Sequence, residues 1–226
     1  EAVKMLAQKA GIRIPEKELT PAQKEKATLK DELYKAMLLA SKLYNYILLN
    51  RPEGKDALTY LKKRGVSKEY IEKFLIGFAP ESWDTLLKFS SKRKISPEIL
   101  FKAGLVTPQK TGKSFFDKFR SRIIFPIQDP VGKFIGLGGR ILGKGEPKYL
   151  NSPQNILFDK SRQLYGLNHA RKAIREKGYS LVFEGYMDVI TAHQRGIQNA
   201  VASLGTSLTA QQAHLLRAQA EEAVIA

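Results

Sequence analysis

The 226-residue chain has no cysteine, three histidines and one tryptophan. Without cysteine there is no disulfide framework, no thiol nucleophile and no Cys-based zinc or iron–sulfur site. His169, His193 and His214 lie 24 and 21 positions apart, so a local H-E-x-x-H type of metal motif is absent and each histidine reads as an ordinary helix-face residue. Long apolar runs are missing as well. Ala36–Ala40 is flanked by Lys35 and Lys42, far short of the ~18 apolar residues that a membrane span needs. The opening Glu1, with no charged-then-apolar leader after it, leads us to expect an excised fragment.

Negative charge is also scarce. Lys and Arg number 38 against 22 Asp and Glu, a formal net charge of +16. The excess is densest over residues 107–151, with nine basic and three acidic side chains. Such density suits a surface that meets phosphate, although a solvated face or the ion-rich surface of a heat-stable protein would look the same. With 43% apolar residues the chain can bury a core as one large domain or two to three small ones.

Residues 2–10 read as a short helix ended by Gly11, and 15–28, with Pro15, Pro21 and little apolar content, as a linker. Leu33, Met37, Ala40, Tyr44 and Ile47 recur at helical spacing within Leu29–Leu49. A repeat at a spacing of 29 follows: Arg64-Gly-Val-Ser-Lys-Glu-Tyr-Ile71 against Arg93-Lys-Ile-Ser-Pro-Glu-Ile-Leu100. Each copy offers a serine N-cap, and Gly77 and Gly104 are expected to close the two helices. The texture then changes to strands. Arg122–Ile127, a turn at Asp129-Pro-Val-Gly132, and Lys133–Leu142 predict an antiparallel hairpin. Residues 160–177 return to helix. Ser180–Glu184, a helix over 186–195, Asn199–Ser203, a helix from Thr209, and Ala223–Ala226 alternate as β-α-β-α-β, the pattern of a parallel sheet. The expected fold class is therefore α+β with an α/β portion.

Gly136-Leu-Gly-Gly-Arg-Ile-Leu-Gly-Lys-Gly145 is neither a dinucleotide fingerprint, which needs Gly where Ile141 stands, nor a Walker loop, which needs Ser or Thr where Gly145 stands. Its glycines allow close backbone approach, within a bent sheet or to a nucleic-acid strand. Arg120 and Arg122 flank Ser121 and, on an extended chain, point to one side. There they grip phosphate bidentately, or guard a strand edge. Pro147–Pro153 presents Lys148, Tyr149 and Asn151 on a rigid loop suited to a triphosphate or template base, or simply forms a proline-bounded turn. Glu184 ends an apolar strand and Asp188 follows within one helical turn. In an open α/β sheet the ligand crevice lies outside such strand ends, where paired carboxylates suit a hard divalent cation or acid/base chemistry. The alternative is a strand-end residue beside a carboxylate favoured by the helix dipole.

Glu184-Gly-Tyr-Met-Asp188 with Ala202-Ser-Leu-Gly-Thr206 resembles the first motif and following loop of the TOPRIM domain in bacterial DNA primases of the DnaG family. Phe119–Ile127, Gly136–Arg140, Pro147–Pro153 and Leu164-Tyr-Gly-Leu167 match the same family in the same order. The resemblance implies a DNA-directed RNA polymerase that makes short RNA primers on single-stranded DNA from ribonucleoside triphosphates with Mg²⁺ or Mn²⁺. It assigns residues 1–28 to a linker after an absent zinc-binding domain, 29–106 to a helical part, 107–178 to a basic nucleic-acid-binding part, and 179–226 to a truncated TOPRIM domain. Glu184 would be the metal ligand or acid/base and Asp188 its support. Arg120, Arg122, Arg140, Lys148 and Asn151 would track template or triphosphate.

The family's later Asp-x-Asp motif, which supplies the remaining metal ligands, is expected just beyond Ala226, so the chain alone should not make primers. Zn²⁺ belongs to the absent domain, with none in this chain. The resemblance implies that the replicative helicase is met through a C-terminal domain expected outside this sequence. The implied protein is a cytoplasmic monomer at the bacterial replication fork, with no membrane partner. Two alternatives remain: another TOPRIM enzyme of topoisomerase or nuclease type, and a non-catalytic nucleic-acid binder.

Overall fold

Caps and left-handed residues set the element boundaries in the first half of the chain. The computed structural model describes residues 6, 7, 10, 20–110, 112, 114–205 and 207–226. The helix expected over 2–10, the linker residues 15–19 and Thr206 therefore lie wholly or largely outside the described residues. The chain divides into two compact units, residues 1–31 and 32–226.

Helix α1 (Pro21–Asn50) starts earlier than its apolar pattern predicts. The Thr20 hydroxyl accepts from the Gln23 N–H (3.3 Å) and the Gln23 amide oxygen accepts from the Thr20 N–H (3.0 Å). With Pro21 at the first helical position, this reciprocal cap makes residues 21–28 helix rather than linker. Further along, Leu33, Met37, Ala40, Tyr44 and Ile47 are buried as their spacing predicts.

The repeat is structural. Its first copy is α2 (Lys55–Lys63), α3 (Lys68–Lys73) and β1 (Gly77–Ala79); its second is α4 (Thr85–Ser91), α5 (Pro97–Lys102) and β2 (Val106–Pro108). Ser67 and Ser96 cap α3 and α5 through their hydroxyls. Left-handed residues recur at the same offset, Gly65 with Lys94 and Leu75 with Gly104. One expectation is corrected here: Leu75 (φ +51°), not Gly77, closes α3. Gly77 instead opens β1 where a Cβ would stand 2.6 Å from the backbone of Tyr44, so glycine is required for the strand to approach α1.

β3 (Phe115–Asp117) pairs with β2. The predicted hairpin is β4 (Arg122–Gln128) and β5 (Phe134–Ile141), turned by Asp129, whose carboxylate accepts from the N–H groups of Val131 and Lys133. With β6 (Tyr149–Asn151) they form an antiparallel sheet of order β1-β4-β5-β6, so the first repeat copy is sewn into the basic hairpin. The helix expected over 160–177 is a 3₁₀ turn (Lys160–Arg162) followed by α6 (Leu167–Lys177). Left-handed Gly166 intervenes where a Cβ would meet Val189 at 2.8 Å.

Then β7 (Tyr179–Phe183), α7 (Tyr186–Gln194), β8 (Ala200–Ala202), α8 (Ala210–Arg217) and β9 (Glu222–Ile225) build a parallel sheet of order β8-β7-β9. Val182, Val201, Leu164, Leu167, Ile174 and Leu216 pack its core. The first repeat copy docks on this sheet's helices. The Tyr70 hydroxyl donates to the His193 carbonyl (2.8 Å), and Phe74 packs against the rings of His169, His193 and Tyr165.

Candidate nucleic-acid interface and carboxylate site

Ser121 decides where the two neighbouring arginines go. Its φ of +48° breaks the extended path that would have sent both side chains to one side. Arg122 turns inward and is only 5% exposed. Its Nη1 donates to the carbonyls of Pro147 (2.8 Å) and Gly139 (3.3 Å), which ties the Leu142–Lys148 loop to β5. Burial, and then the nearby Arg120 charge, lowers its pKa from the ordinary arginine value. Arg120 turns the other way. Its guanidinium lies 3.9 Å from the ring centre of Trp83 and 5.1 Å from that of Phe116, and its Nη1 donates to the Asp117 carbonyl.

Trp83 was not singled out by its sequence context, yet it is 60% exposed beside this cation. Being the only tryptophan was the one available signal. Tyr60 was missed in the same way: Arg140 lies 4.5 Å over its ring. Lys148 is exposed. Hydrogen bonds join these positions into a strip. Ser121 donates its N–H to the Pro80 carbonyl and accepts from the Leu142 N–H, and Arg122 reaches Pro147 beside Lys148.

Asn151 links this strip to the parallel sheet. Its carboxamide oxygen accepts from the Tyr186 hydroxyl (2.6 Å) and its nitrogen donates to the Leu204 carbonyl (3.3 Å). Tyr186, the first residue of α7, stacks on Phe125 at 5.2 Å and meets Tyr165 edge-on at 4.8 Å. Burial raises its hydroxyl well above the ordinary tyrosine pKa, so it stays a neutral donor to Asn151. A Cβ on Gly138 would stand 2.6 Å from Tyr186. The glycines of β5 therefore admit aromatic rings of the protein itself: Gly138 faces Tyr186, Gly139 faces Phe119 and Gly136 faces Phe158.

Glu184 follows β7 directly and, like Asp188 in the first turn of α7, is exposed. The Asp188 carboxylate closes back on Gly185, where a Cβ would lie 2.8 Å from Oδ2. Gly185 leaves this carboxylate room to lie against the turn. Among the described residues neither carboxylate has an ion-pair partner. Free, exposed carboxylate oxygens are the donor set that Mg²⁺ or Mn²⁺ uses through one or two protein ligands plus substrate oxygens, so the residues present fit such an ion. Among the described residues there is no group of three His, Asp or Glu side chains that could hold a metal unaided.

Comparison with known proteins gives a consistent result. The family model "DNA primase catalytic core, N-terminal domain" matches residues 44–171, and a Toprim-like model matches 181–226. The chain is 43% identical over 227 residues to the DNA primase of Halalkalibacterium halodurans, covering 100% of this chain and 37% of that protein. A solved structure described as the DnaG primase catalytic domain bound to ssDNA superimposes with a TM-score of 0.81 at 43% identity, covering 88% of this chain and 64% of that one. The Aquifex aeolicus primase, comprising its zinc-binding and RNA polymerase domains, matches 99% of this chain and 52% of that one at 32% identity and a TM-score of 0.80. The chain thus spans about a third of the length of the curated relatives it matches.

Proposed function

The chain belongs to the DNA primase catalytic-core family, and from that premise we propose that it is the template-binding front of a bacterial primase that makes short RNA primers on single-stranded DNA from ribonucleoside triphosphates. The observation that carries this reading is the bonded strip from Trp83 and Arg120 through Lys148 and Asn151 to Tyr186, which ends where Glu184 and Asp188 are exposed. Single strands are held by cations along the backbone and by aromatic faces under the bases. Trp83 and Tyr149 offer such faces, and Arg120, Arg140 and Lys148 the cations. Arg122 serves differently: it fixes the loop that presents Lys148. Asn151 positions Tyr186 and, through it, the turn that carries the carboxylates.

Glu184, supported by Asp188, would hold Mg²⁺ or Mn²⁺. When bound, such an ion polarises the incoming phosphate and lowers the cost of the developing charge in phosphoryl transfer. Because these two side chains are not a complete donor set, we expect no primer synthesis from this chain alone. In the same reading the parent enzyme works at the replication fork in the bacterial cytoplasm. Among the described residues, no helix is long and apolar enough to cross a membrane.

Titration of a fluorescent single strand tests this. The variant Arg120→Ala/Arg140→Ala/Lys148→Ala should bind an oligonucleotide more weakly. Its plot of log affinity against log salt should be shallower by about 2, at about 0.7 per lost phosphate contact on a single strand. Equal slopes for variant and wild type would remove these cations from the template path and with them the reading.

A further inference from the structure

The two copies of the helical repeat have matching main chains but different surroundings. In the first copy, the carboxamide of Gln194, at the end of α7, clasps the loop before α3. Its nitrogen donates to the Gly65 carbonyl (2.7 Å) and its oxygen accepts from the Ser67 N–H (2.8 Å). In the second copy, Lys94 and Ser96 occupy the equivalent places. Ser67 has φ −75° and ψ 160°, and Ser96 has φ −74° and ψ 154°. Gly65 and Lys94 are both left-handed, at φ +77° and +58°. The flanking hydrogen bonds repeat too, Val66 N–H to Leu61 and Ile95 N–H to Ser90. The Lys94 carbonyl and Ser96 N–H thus present the same acceptor–donor pair, and among the described residues nothing engages them.

Three further observations bear on this place. It opens into a cavity of about 350 Å³ lined by Lys94, Ile95, Ser96 and Ile99 together with Glu32 and Lys35 of α1. The apolar positions that are buried in the docked copy, Val66 and Tyr70, correspond to Ile95 and Ile99, which stay half-buried. Lys94 holds a left-handed backbone that glycine, its counterpart Gly65, adopts without strain. The cost places an exposed cation on the rim beside Lys35.

We propose that this cavity is a docking site for a helix of another protein, one whose last turn presents a glutamine carboxamide and whose adjoining face is acidic. The glutamine would make the clasp that Gln194 makes in the first copy, apolar side chains of the partner would cover Ile95 and Ile99, and its acidic residues would meet Lys35 and Lys94. The inference is independent of the template strip and goes beyond the primase reading.

The test uses the full chain, ¹⁵N-labelled, and a stapled helical peptide of about 15 residues, since shorter isolated helices are marginal in water. The peptide carries glutamine in its last turn and glutamates on the same face. The Ser96 amide signal should shift saturably while that of Ser67, already bonded to Gln194, stays in place. A Gln→Leu peptide should bind about tenfold more weakly through loss of both hydrogen bonds. Lys35→Ala/Lys94→Gly, in which glycine suits the left-handed backbone, should weaken the glutamine peptide about fivefold without lowering the melting temperature. An unmoved Ser96 amide at about 1 mM peptide, a range that covers weak complexes, would overturn the proposal. So would equal binding of the Gln→Leu peptide. A response of the Ser96 amide to single-stranded DNA instead of peptide would assign the cavity to nucleic acid and overturn it as well.

Discussion

In the antiparallel sheet the Arg122 charge is 5% exposed and bonded to the carbonyls of Gly139 and Pro147, whereas at the end of the parallel strand β7 Glu184 and Asp188 are exposed and have no ion-pair partner among the described residues. Both regions carry charged residues within the motifs that resemble the primase family. In one, a buried cation holds the scaffold together, because an arginine in the protein interior must have its N–H groups satisfied. In the other, the scaffold leaves anions free, as a site for a cation requires. The lesson is that a charged residue inside a recognisable motif can serve the ligand or the fold, and its hydrogen bonds tell which.

The largest expected effect comes from breaking the buried side of this contrast. Arg122→Ala removes the donor that the Gly139 and Pro147 carbonyls share and empties the space of a buried side chain, and should cost about 3 kcal/mol. That corresponds to a fall in melting temperature of roughly 6–12 °C for a chain of this size, read by calorimetry. Lys148→Ala at the end of the same loop should leave the melting temperature unchanged. Equal losses in the two variants would erase the distinction between scaffold and surface.

A second, smaller effect sharpens it through titration. Near the parallel sheet, burial holds His169 down to about 4 and also lowers His193, with the charge of Lys73 and, for His169, that of His193 adding to the shift. Against the helical repeat, burial pushes Asp117 up to about 6 even though it accepts from the N–H groups of Leu86 and Leu87. As pH falls below the ordinary histidine value of about 6.5, the unfolded chain takes protons on both histidines that the folded chain refuses, which destabilises the fold. Asp117 acts with the opposite sign, because between about 4 and 6 the folded state is the one that binds its proton. His169, held down to about 4, and Asp117, pushed up to about 6, act with opposite signs and nearly cancel between roughly pH 6 and 4.5, so the contribution of His169 is isolated by removing it. Urea denaturation at several pH values should show the wild type losing about 1.5 kcal/mol more stability than His169→Leu between roughly pH 6 and 4.5. Equal losses in the two would mean that His169 is protonated in place.

The smallest effect on stability, and the sharpest on binding, is expected at the free carboxylates. Glu184→Gln should change the unfolding free energy by less than about 0.5 kcal/mol, as surface substitutions do. It should also abolish the broadening that Mn²⁺ produces in the amide signals of Gly185 and Tyr186. Persistent broadening in the variant would move the cation away from β7.

Much of this was legible locally. The serine caps at Ser67 and Ser96, the Asp129 turn, the period of α1 and the apolar strands around Glu184 each depend on residues within one or two turns of one another, so spacing and side-chain type suffice to read them. The start of α1 was misplaced because a reciprocal Thr20–Gln23 cap does not show in apolar periodicity. Gly77 was misread because its reason lies on another element, at the backbone of Tyr44.

The sequence by itself determined the fold class, the alternation that ends β7 just before Glu184, and the excess of positive charge over residues 107–151. All of these are carried by local patterns of hydropathy, capping and charge. Only the tertiary structure decided that Ser121 parts Arg120 from Arg122, that Trp83 receives Arg120, that Tyr186 fills the space over Gly138, and that Gln194 clasps one repeat copy and not the other. Those outcomes rest on groups tens of residues apart competing for the same hydrogen bonds and the same volume, a competition settled only when the chain is packed.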